Sequence, residues 1–138
     1  MDYVHDKQEL LIDFTTCTDR RGSLTFAENA QLPFEIRRVF WIHHTPDGAS
    51  RGAHAHRTCA EIIVPVTGTF DIDLTLRDGR SFSFQLDNPD TGLFIPAMSW
   101  CELRNFAPGT VCLCFASESY TPAGYINDFL SFKHECAL

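Results

Sequence analysis

The chain has 138 residues, 44% of them hydrophobic and 21% charged, so it can bury a core and is expected to form one domain over residues 1–138. Its formal net charge of −7 argues against general nucleic-acid binding, which depends on a basic surface. No stretch approaches the ~20 apolar residues of a membrane span, and residues 1–6 have no secretory-signal pattern, so we expect a cytoplasmic protein without membrane partners.

Short apolar or alternating runs, separated by turn residues, predict ten β-strands. They span residues 10–15, 24–28, 37–44, 53–57, 61–67, 69–76, 81–86, 92–95, 100–106 and 110–117. The clearest alternation is in 69–76, where polar residues separate Phe70, Ile72 and Leu74. The Asp78-Gly79 pair that follows is typical of a tight hairpin turn.

Only the C-terminal segment has a helical pattern. Thr121 and Pro122 suit an N-cap and a first helical position, and Tyr125, Phe129 and Phe132 then form one apolar stripe. Many short strands without helices between them are typical of a sandwich or barrel. We therefore predict an all-β fold with a short C-terminal helix that begins at Pro122.

The six cysteines show no metal or redox motif with CxxC spacing. Cys112 and Cys114 are two residues apart in an apolar run, where they act as small hydrophobic side chains on one face of a strand. Since no export signal is recognised, we expect all six cysteines to be reduced thiols of a cytoplasmic protein.

Positive charge is concentrated in one part of the chain. Residues 20–57 contain six arginines and carry a charge of +3, whereas the remainder of the chain carries −10. These arginines either lie on a solvated surface or form a site for an anionic ligand, such as a phosphorylated small molecule.

The clearest chemical pattern is that of two neighbouring histidines. Residues two apart in a strand face the same side, so the imidazoles of His54 and His56 project together. They belong to a set with the spacing G-x5-H-x-H-x4-E-x6-G, formed by Gly48, His54, His56, Glu61 and Gly68. This set resembles the first motif of the cupins, which implies an all-β, RmlC-like jelly-roll barrel.

A second cupin motif is only partly present. In metal-dependent cupins, the equivalent histidines and glutamate bind a divalent ion together with a histidine of this second motif. Here the region keeps Pro96 but has Met98 in place of a glycine and Cys101 in place of the histidine. One alternative is therefore a metal-dependent enzyme that uses both histidines, Glu61 and Cys101, since a thiolate can bind metal.

A more specific resemblance covers nearly the whole chain. Its strings are Arg21-Gly22-Ser23-Leu24, residues 33–39, residues 51–56, Gly92-Leu93-Phe94-Ile95-Pro96, Trp100 and Tyr125-Ile126. Together they resemble the nucleotide-sugar 3,4-ketoisomerases, small cupins of the WxcM-like group that act on dTDP-4-oxo-6-deoxyglucose. The resemblance implies a homodimer whose product enters deoxysugar biosynthesis for surface glycans or a secondary metabolite.

The same resemblance implies an enzyme that moves a ketone from C4 to C3 by proton transfer through an enediolate, with neither metal nor cofactor. His54 would be the base at C3, and His56 would orient it or relay a proton. Histidine suits this role because its ordinary pKa is close to neutral pH. The resemblance also implies a set of substrate-binding residues. These are Arg21, Arg38, Arg51, Trp100 and Cys101.

The chain departs from this family pattern at three places. Phe40 and Trp41 replace a pair of tyrosines. Cys101 follows the shared tryptophan where histidine or arginine is common, and Glu61 stands where glutamine is frequent. A His–Glu pair would raise the pKa of the histidine by stabilising its cation. A non-catalytic nucleotide-sugar binding module is the other alternative to the isomerase.

Overall fold

A computed structural model describes residues 3–138, which are built mainly from β-strands. The strands are β1 (Leu11–Asp13), β2 (Thr15–Asp19), β3 (Gly22–Phe26), β4 (Arg38–Ile42), β5 (Arg51–His56), β6 (Glu61–Thr67), β7 (Phe70–Thr75), β8 (Ser81–Leu86), β9 (Thr91–Ile95), β10 (Trp100–Arg104), β11 (Val111–Ala116) and β12 (Tyr125–Ile126). One α-helix, α1, spans Phe129–Glu135, and short 3-10 helices span Lys7–Leu10, Asn29–Gln31 and Pro122–Gly124. Within the described residues, none of these helices has the length and apolar character needed to cross a bilayer.

Two five-stranded sheets share one hydrophobic core. The first has the strand order β1-β9-β6-β11-β4 and the second has the order β12-β5-β10-β7-β8. Neighbouring strands pair antiparallel, and β2 and β3 form a separate hairpin. This arrangement confirms the predicted all-β fold with a short C-terminal helix.

Most predicted strands are present, but the first is divided. Residues 10–15 were predicted as one strand, whereas Phe14 separates β1, which pairs with β9, from β2, which pairs with β3. Phe14 is buried, and its backbone N–H donates to the carbonyl of Asp90. The chain therefore changes sheets at this residue, a change that the apolar pattern of one segment does not reveal.

The predicted start of the helix is wrong. Pro122 begins a single 3-10 turn, and Tyr125 then lies in β12, where it pairs with His56 of β5. The α-helix begins only at Phe129, because the Asp128 carboxylate caps it by accepting a hydrogen bond from the backbone N–H of Ser131. Pairing of Tyr125 with a distant strand outweighs the local helical pattern.

The core lies between the sheets, and the alternation of β7 confirms its predicted inward face. Phe70, Ile72 and Leu74 are fully buried there. Cys112 and Cys114 of β11 also point inward, with their Sγ atoms 3.8 Å apart, as small apolar side chains do. A second cluster packs under α1, on the opposite face of β5 and β10. It contains Ala55, Met98, Trp100, Ile126 and Phe132.

Candidate active site

Strand β5 places the two histidines of the motif next to each other. The ring centroids of His54 and His56 are 4.9 Å apart and the rings are nearly perpendicular, at 84°. His56 is only 5% exposed, whereas His54 is half-buried. Because Ala55 between them faces the cluster under α1, both imidazoles lie on the inner side of the sheet.

A β-bulge extends this inner side to Arg51. Strict alternation would put Arg51 and His54 on opposite faces, since they are three residues apart. Gly52 and Ala53, however, have φ values of +85° and +59°, and the register with β10 shifts at this point. His54 then pairs with Cys101 and Arg51 with Leu103. Cys101 and Leu103 are both core residues, so Arg51 falls on the same side as the histidines.

Gly52 is required by this bulge. A Cβ atom at this position would lie 2.8 Å from the carbonyl oxygen of Cys101, and the positive φ is itself unfavourable for residues with a side chain. The bulge therefore depends on glycine, and the position of Arg51 depends on the bulge.

The carboxylate of Glu61, at the start of β6, lies next to the buried imidazole of His56. Its Oε1 is 3.1 Å from Nε2 of His56, and both side chains are 6% exposed. The two atoms are not aligned for a hydrogen bond, and Nε2 has no hydrogen-bond partner among residues 3–138. Buried polar atoms are normally paired, so this unpaired imidazole nitrogen beside a buried carboxylate is an exception among the core residues.

The surroundings of His54 favour its neutral form. Burial lowers the pKa of His54 below its ordinary value, and the neighbouring His56 and Arg51 lower it further. The Glu61 carboxylate and a hydrogen bond to the backbone of Gly52 act in the opposite direction without cancelling this effect. A neutral imidazole can accept a proton, which is the property required of a general base.

Tyr125 is a member of this site that the sequence interpretation missed. Its ring lies 4.3 Å from that of His56 and 5.2 Å from that of His54, measured between centroids. The helical stripe that included Tyr125 placed it on a helix away from the site, whereas β12 pairs it directly with His56. The available signal was the Tyr125-Ile126 string, which belongs to the family resemblance.

Arg38 borders the same part of the molecule. Together with His56 and Tyr125 it lines a small groove, and its guanidinium lies over the rings of Phe40 and Tyr120 at 5.1 and 5.6 Å. Its Nε is buried and has no hydrogen-bond partner within residues 3–138. Arg38 therefore carries one N–H donor that is not used within the described part of the chain.

A larger cavity, of about 460 Å³, lies elsewhere in the molecule. Its walls include Phe34, Leu76 and Phe94 and contain neither histidine of the pair. This cavity is therefore separate from the pair of histidines.

Cys101 occupies the interior beside His54, in register with it on β10. Burial is the main cause that raises the pKa of its thiol, and the nearby Glu61 carboxylate raises it further. The thiol is therefore protonated at neutral pH in the structure described here. The side chain fills a small apolar space of the core.

Three of the four residues of the metal-binding alternative lie together. The donor atoms of His54, His56 and Glu61 are all within 4.8 Å of one another. Cys101 does not join this group among the residues that the structure describes. The donor set therefore fits a three-ligand site better than the four-ligand site that the sequence suggested.

Two predicted substrate-binding residues lie away from the histidines. Arg21 is in the turn of the β2–β3 hairpin, where its side chain is 85% exposed and paired with Asp19 at 2.6 Å. Trp100 alternates with Cys101 along β10 and packs against Phe129 and Phe132 of α1. The packing of Trp100 does not support the predicted substrate contact, because its indole fills the core on the opposite face of the sheet.

Comparison with known proteins places this site in a family. The family model described as "FdtA: WxcM-like, C-terminal" matches residues 6–137. A relative from Aneurinibacillus thermoaerophilus, named TDP-4-oxo-6-deoxy-alpha-D-glucose-3,4-oxoisomerase, is 34% identical over 125 residues, which are 89% of this chain and 88% of the relative.

Solved structures agree with this assignment. A 3,4-ketoisomerase from Helicobacter canadensis superposes with a TM-score of 0.88 at 35% identity, over 93% of this chain and 96% of that chain. A histidine-to-asparagine variant of the 3,4-ketoisomerase QdtA from Thermoanaerobacterium thermosaccharolyticum, solved with TDP-4-keto-6-deoxyglucose, has a TM-score of 0.87 at 31% identity, over 91% of each chain. The protein described here therefore belongs to the FdtA, WxcM-like family, as its sequence motifs predict.

Proposed function

We propose that this protein is a 3,4-ketoisomerase that converts dTDP-4-oxo-6-deoxyglucose into a dTDP-3-oxo-6-deoxyhexose. The named relatives act as 3,4-ketoisomerases, and the one from A. thermoaerophilus carries this 4-oxo sugar nucleotide in its name. The observation that carries the proposal is the pair of imidazoles, 4.9 Å apart on the inner side of the sheet and next to a buried carboxylate.

The reaction needs one base and no redox partner. His54 removes the proton from C3, the electron pair of that C–H bond forms the C3–C4 double bond, and the C4 carbonyl oxygen becomes the enediolate oxygen. The proton of the C3 hydroxyl moves to this oxygen, and the protonated imidazole of His54, after exchange with solvent, delivers a proton to C4. The product carries the ketone at C3 and a hydroxyl at C4, so atoms and electrons balance. The lowered pKa of His54 supports its role as the base.

The remaining groups stabilise charge and relay protons. His56 has a buried, unpaired Nε2 within reach of Glu61, which suits transfer of a proton between the two sugar oxygens. Arg51 lies on the inner side of β5, and Arg38 has an unpaired N–H in the adjoining groove. Preorganised donors of this kind lower the energy of a developing oxyanion. We assign Arg38 and Arg51 to the sugar or phosphate oxygens.

NMR of the purified protein with dTDP-4-oxo-6-deoxyglucose in D₂O tests the proposal. We expect a 3-keto product with deuterium at C4, and the signal of that position also reports the configuration of the product. Tight TDP binding without product and without deuterium incorporation would instead indicate a binding module.

A second candidate function rests on the grouped donor atoms of His54, His56 and Glu61. These side chains could hold a divalent ion in a metal-dependent cupin enzyme, which would supply a Lewis acid to polarise a substrate oxygen. Cys101, the fourth ligand of that alternative, does not lie with these three donors among the residues that the structure describes. Metal analysis of the active protein separates the two functions, because the isomerase proposal requires activity without stoichiometric metal.

We also propose a homodimer. Val39 and Trp41 on the outer face of β4 are 46% and 59% exposed, and Val66 of β6 and Leu24 of β3 are 42% and 62% exposed. Val39 and Trp41 share one face of β4, which is the edge strand of its sheet, and exposed apolar side chains in such a position favour a protein partner. Light scattering should give a dimer for the wild type and a monomer for Trp41→Glu, whereas Leu130→Glu on α1 should remain dimeric. A monomeric wild type would contradict this proposal.

In such a dimer, we propose that Arg21 completes the site of the neighbouring copy. The β2–β3 hairpin pairs with neither five-stranded sheet and exposes the side chain of Arg21, yet the family motif includes this residue. Mixing two inactive variants, Arg21→Ala and His54→Ala, tests this idea. Mixed dimers would regain activity, because one of their sites contains both wild-type residues. Mixtures that stay inactive would place Arg21 outside the neighbour's site.

The product is a 3-keto sugar nucleotide, which an aminotransferase could convert into a 3-amino sugar for a glycan or a secondary metabolite. We place the enzyme in the cytoplasm. Its six free cysteines support that compartment, where thiols are kept reduced.

A further inference from the structure

Arg57 directly follows the second histidine of the motif, and its side chain binds the C-terminal segment. Its Nε and Nη2 donate to the two carboxylate oxygens of Glu135 on α1, at 3.0 and 2.8 Å. Its Nη1 donates to the backbone carbonyls of Ala123 and Tyr125, at 2.8 and 3.1 Å. One guanidinium therefore ties both ends of residues 123–135 to the strand that carries the histidines.

The segment held in this way includes Tyr125, whose ring lies against both histidines. Tyr125 and Ile126 pair with β5 over only two residues, and such a short strand has few backbone hydrogen bonds of its own. The backbone N–H of Arg57 adds one bond, to the carbonyl of Gly124 at 2.9 Å. The side-chain bonds of Arg57 to Ala123 and Tyr125 continue this attachment on either side of Gly124.

The ion pair of Arg104 with Asp73 resembles that of Arg57 with Glu135 in geometry but joins different elements. Arg104 also forms a two-bond pair, with Asp73 at 2.7 and 2.9 Å, and its exposure is similar. That pair joins two adjacent strands of one sheet that are already paired over five residues. Arg57, by contrast, joins β5 to a segment that is remote in sequence and weakly paired. Exposed ion pairs contribute little to global stability, so the two arginines should be alike in that respect.

We propose that Arg57 is a positioning residue of the isomerase, which holds the Tyr125 ring against His54 and His56 by docking the C-terminal segment. This inference rests on the proposed function, since it assigns the effect to the isomerisation step. Tyr125 in turn limits the rotation of both imidazoles and covers them from solvent. Removing the guanidinium would leave the histidines in place but free the ring that orients them.

A double-variant cycle tests the inference. The singles Arg57→Ala and Tyr125→Ala should each lower kcat by about 10- to 100-fold, as small errors of position do. Because Arg57 acts through Tyr125, the double variant should lose no more than Tyr125→Ala alone. Arg104→Ala is the matched control and should retain wild-type kcat. Arg57→Lys, which keeps a donor, should recover part of the loss.

Amide hydrogen exchange adds a readout that does not depend on activity. In Arg57→Ala, residues 122–135 should exchange faster, whereas Arg104→Ala should leave their exchange unchanged. Thermal unfolding of both variants checks that they remain folded, with similar small changes in Tm.

Three results would overturn the inference in an active enzyme. One is multiplication of the losses in the double variant, which would show that Arg57 and Tyr125 act independently. The others are an unchanged kcat of Arg57→Ala and an unchanged exchange of residues 122–135 in that variant. An inactive wild type is a different result, because it contradicts the proposed function itself and is seen before any variant is compared.

Discussion

The two faces of β5 and β10 carry side chains with opposite properties. On the outer face, Ala55 and Trp100 pack with Phe132 of α1 in an apolar cluster. On the inner face, His54 and His56 lie beside Cys101, and the Nε2 of His56 is buried without a hydrogen-bond partner among the described residues. Both faces belong to the same short strands, whose side chains alternate between the faces outside the bulge at Gly52 and Ala53.

The outer face of these strands contributes to stability, whereas the inner face carries the residues of the proposed site. The outer face is close-packed and contributes stability through buried apolar area. The inner face leaves the Nε2 of His56 unpaired, which costs stability. A rigid, packed outer face is what holds the imidazoles at a defined separation. Substitutions on the two faces should therefore have different effects.

The largest effect is expected on the inner face. His54→Ala should lower kcat by about 10²–10⁴-fold, because it removes the general base, while the protein stays folded. Product formation by NMR and thermal unfolding measure the two properties. His44→Asn, at an exposed histidine with a φ of +55°, is the control and should retain activity. Near-normal turnover by His54→Ala would remove His54 from the mechanism.

The outer face should respond in stability. Trp100→Ala removes a large buried side chain and should lower the free energy of unfolding by about 3–5 kcal/mol, measured by urea denaturation. The kcat per folded molecule should change little, because the indole faces α1 and not the histidines. A large loss of kcat with an unchanged free energy of unfolding would restore Trp100 as a substrate-contacting residue.

A smaller change is expected in the pH profile. His54 must be neutral to accept a proton, and its pKa is lowered, so kcat/KM should fall only when the pH drops below the ordinary pKa of histidine. Glu61 raises the pKa of His54, so Glu61→Gln should move this acid limb to still lower pH. A shift toward higher pH would show that the limb belongs to another group.

The smallest effect is expected from metal removal. Dialysis against a chelator should leave kcat unchanged, because the proposed proton transfer uses only side chains of the protein. Elemental analysis before and after dialysis checks that any bound metal was removed. Activity that is lost with the metal and restored by one divalent ion would favour the metal-dependent alternative.

Local patterns in the sequence were enough for the fold class and for the centre of the site. The alternation of β7 and the spacing of His54, His56 and Glu61 depend on residues close together in the chain. Side chains two apart in a strand share a face, so the juxtaposition of the two histidines follows directly from their spacing. The resemblance to the ketoisomerases predicted the reaction, and the match to the family model confirms the predicted family.

Other members of the site depend on contacts between distant segments. The positive φ values at Gly52 and Ala53 turn Arg51 toward the histidines, against the alternation that a strand pattern assumes. Tyr125 belongs to the site because β12 pairs with β5 about 70 residues earlier in the chain, an arrangement that replaced the predicted start of the helix. The positions of Arg21 and Trp100 also depend on the tertiary structure. Arg21 lies in the turn of the β2–β3 hairpin, and Trp100 lies on the face of β10 that packs under α1.

The sequence by itself thus determined which chemical groups this protein has and which of them share a strand face, because those properties are local and periodic. Only the tertiary structure decided that the ring of Tyr125 contacts the histidines, that Arg51 lies on their side of β5, and that Trp100 packs on the opposite face of the sheet. Those outcomes depend on register, bulges and the docking of remote segments, whose energies are set by pairing across the whole chain.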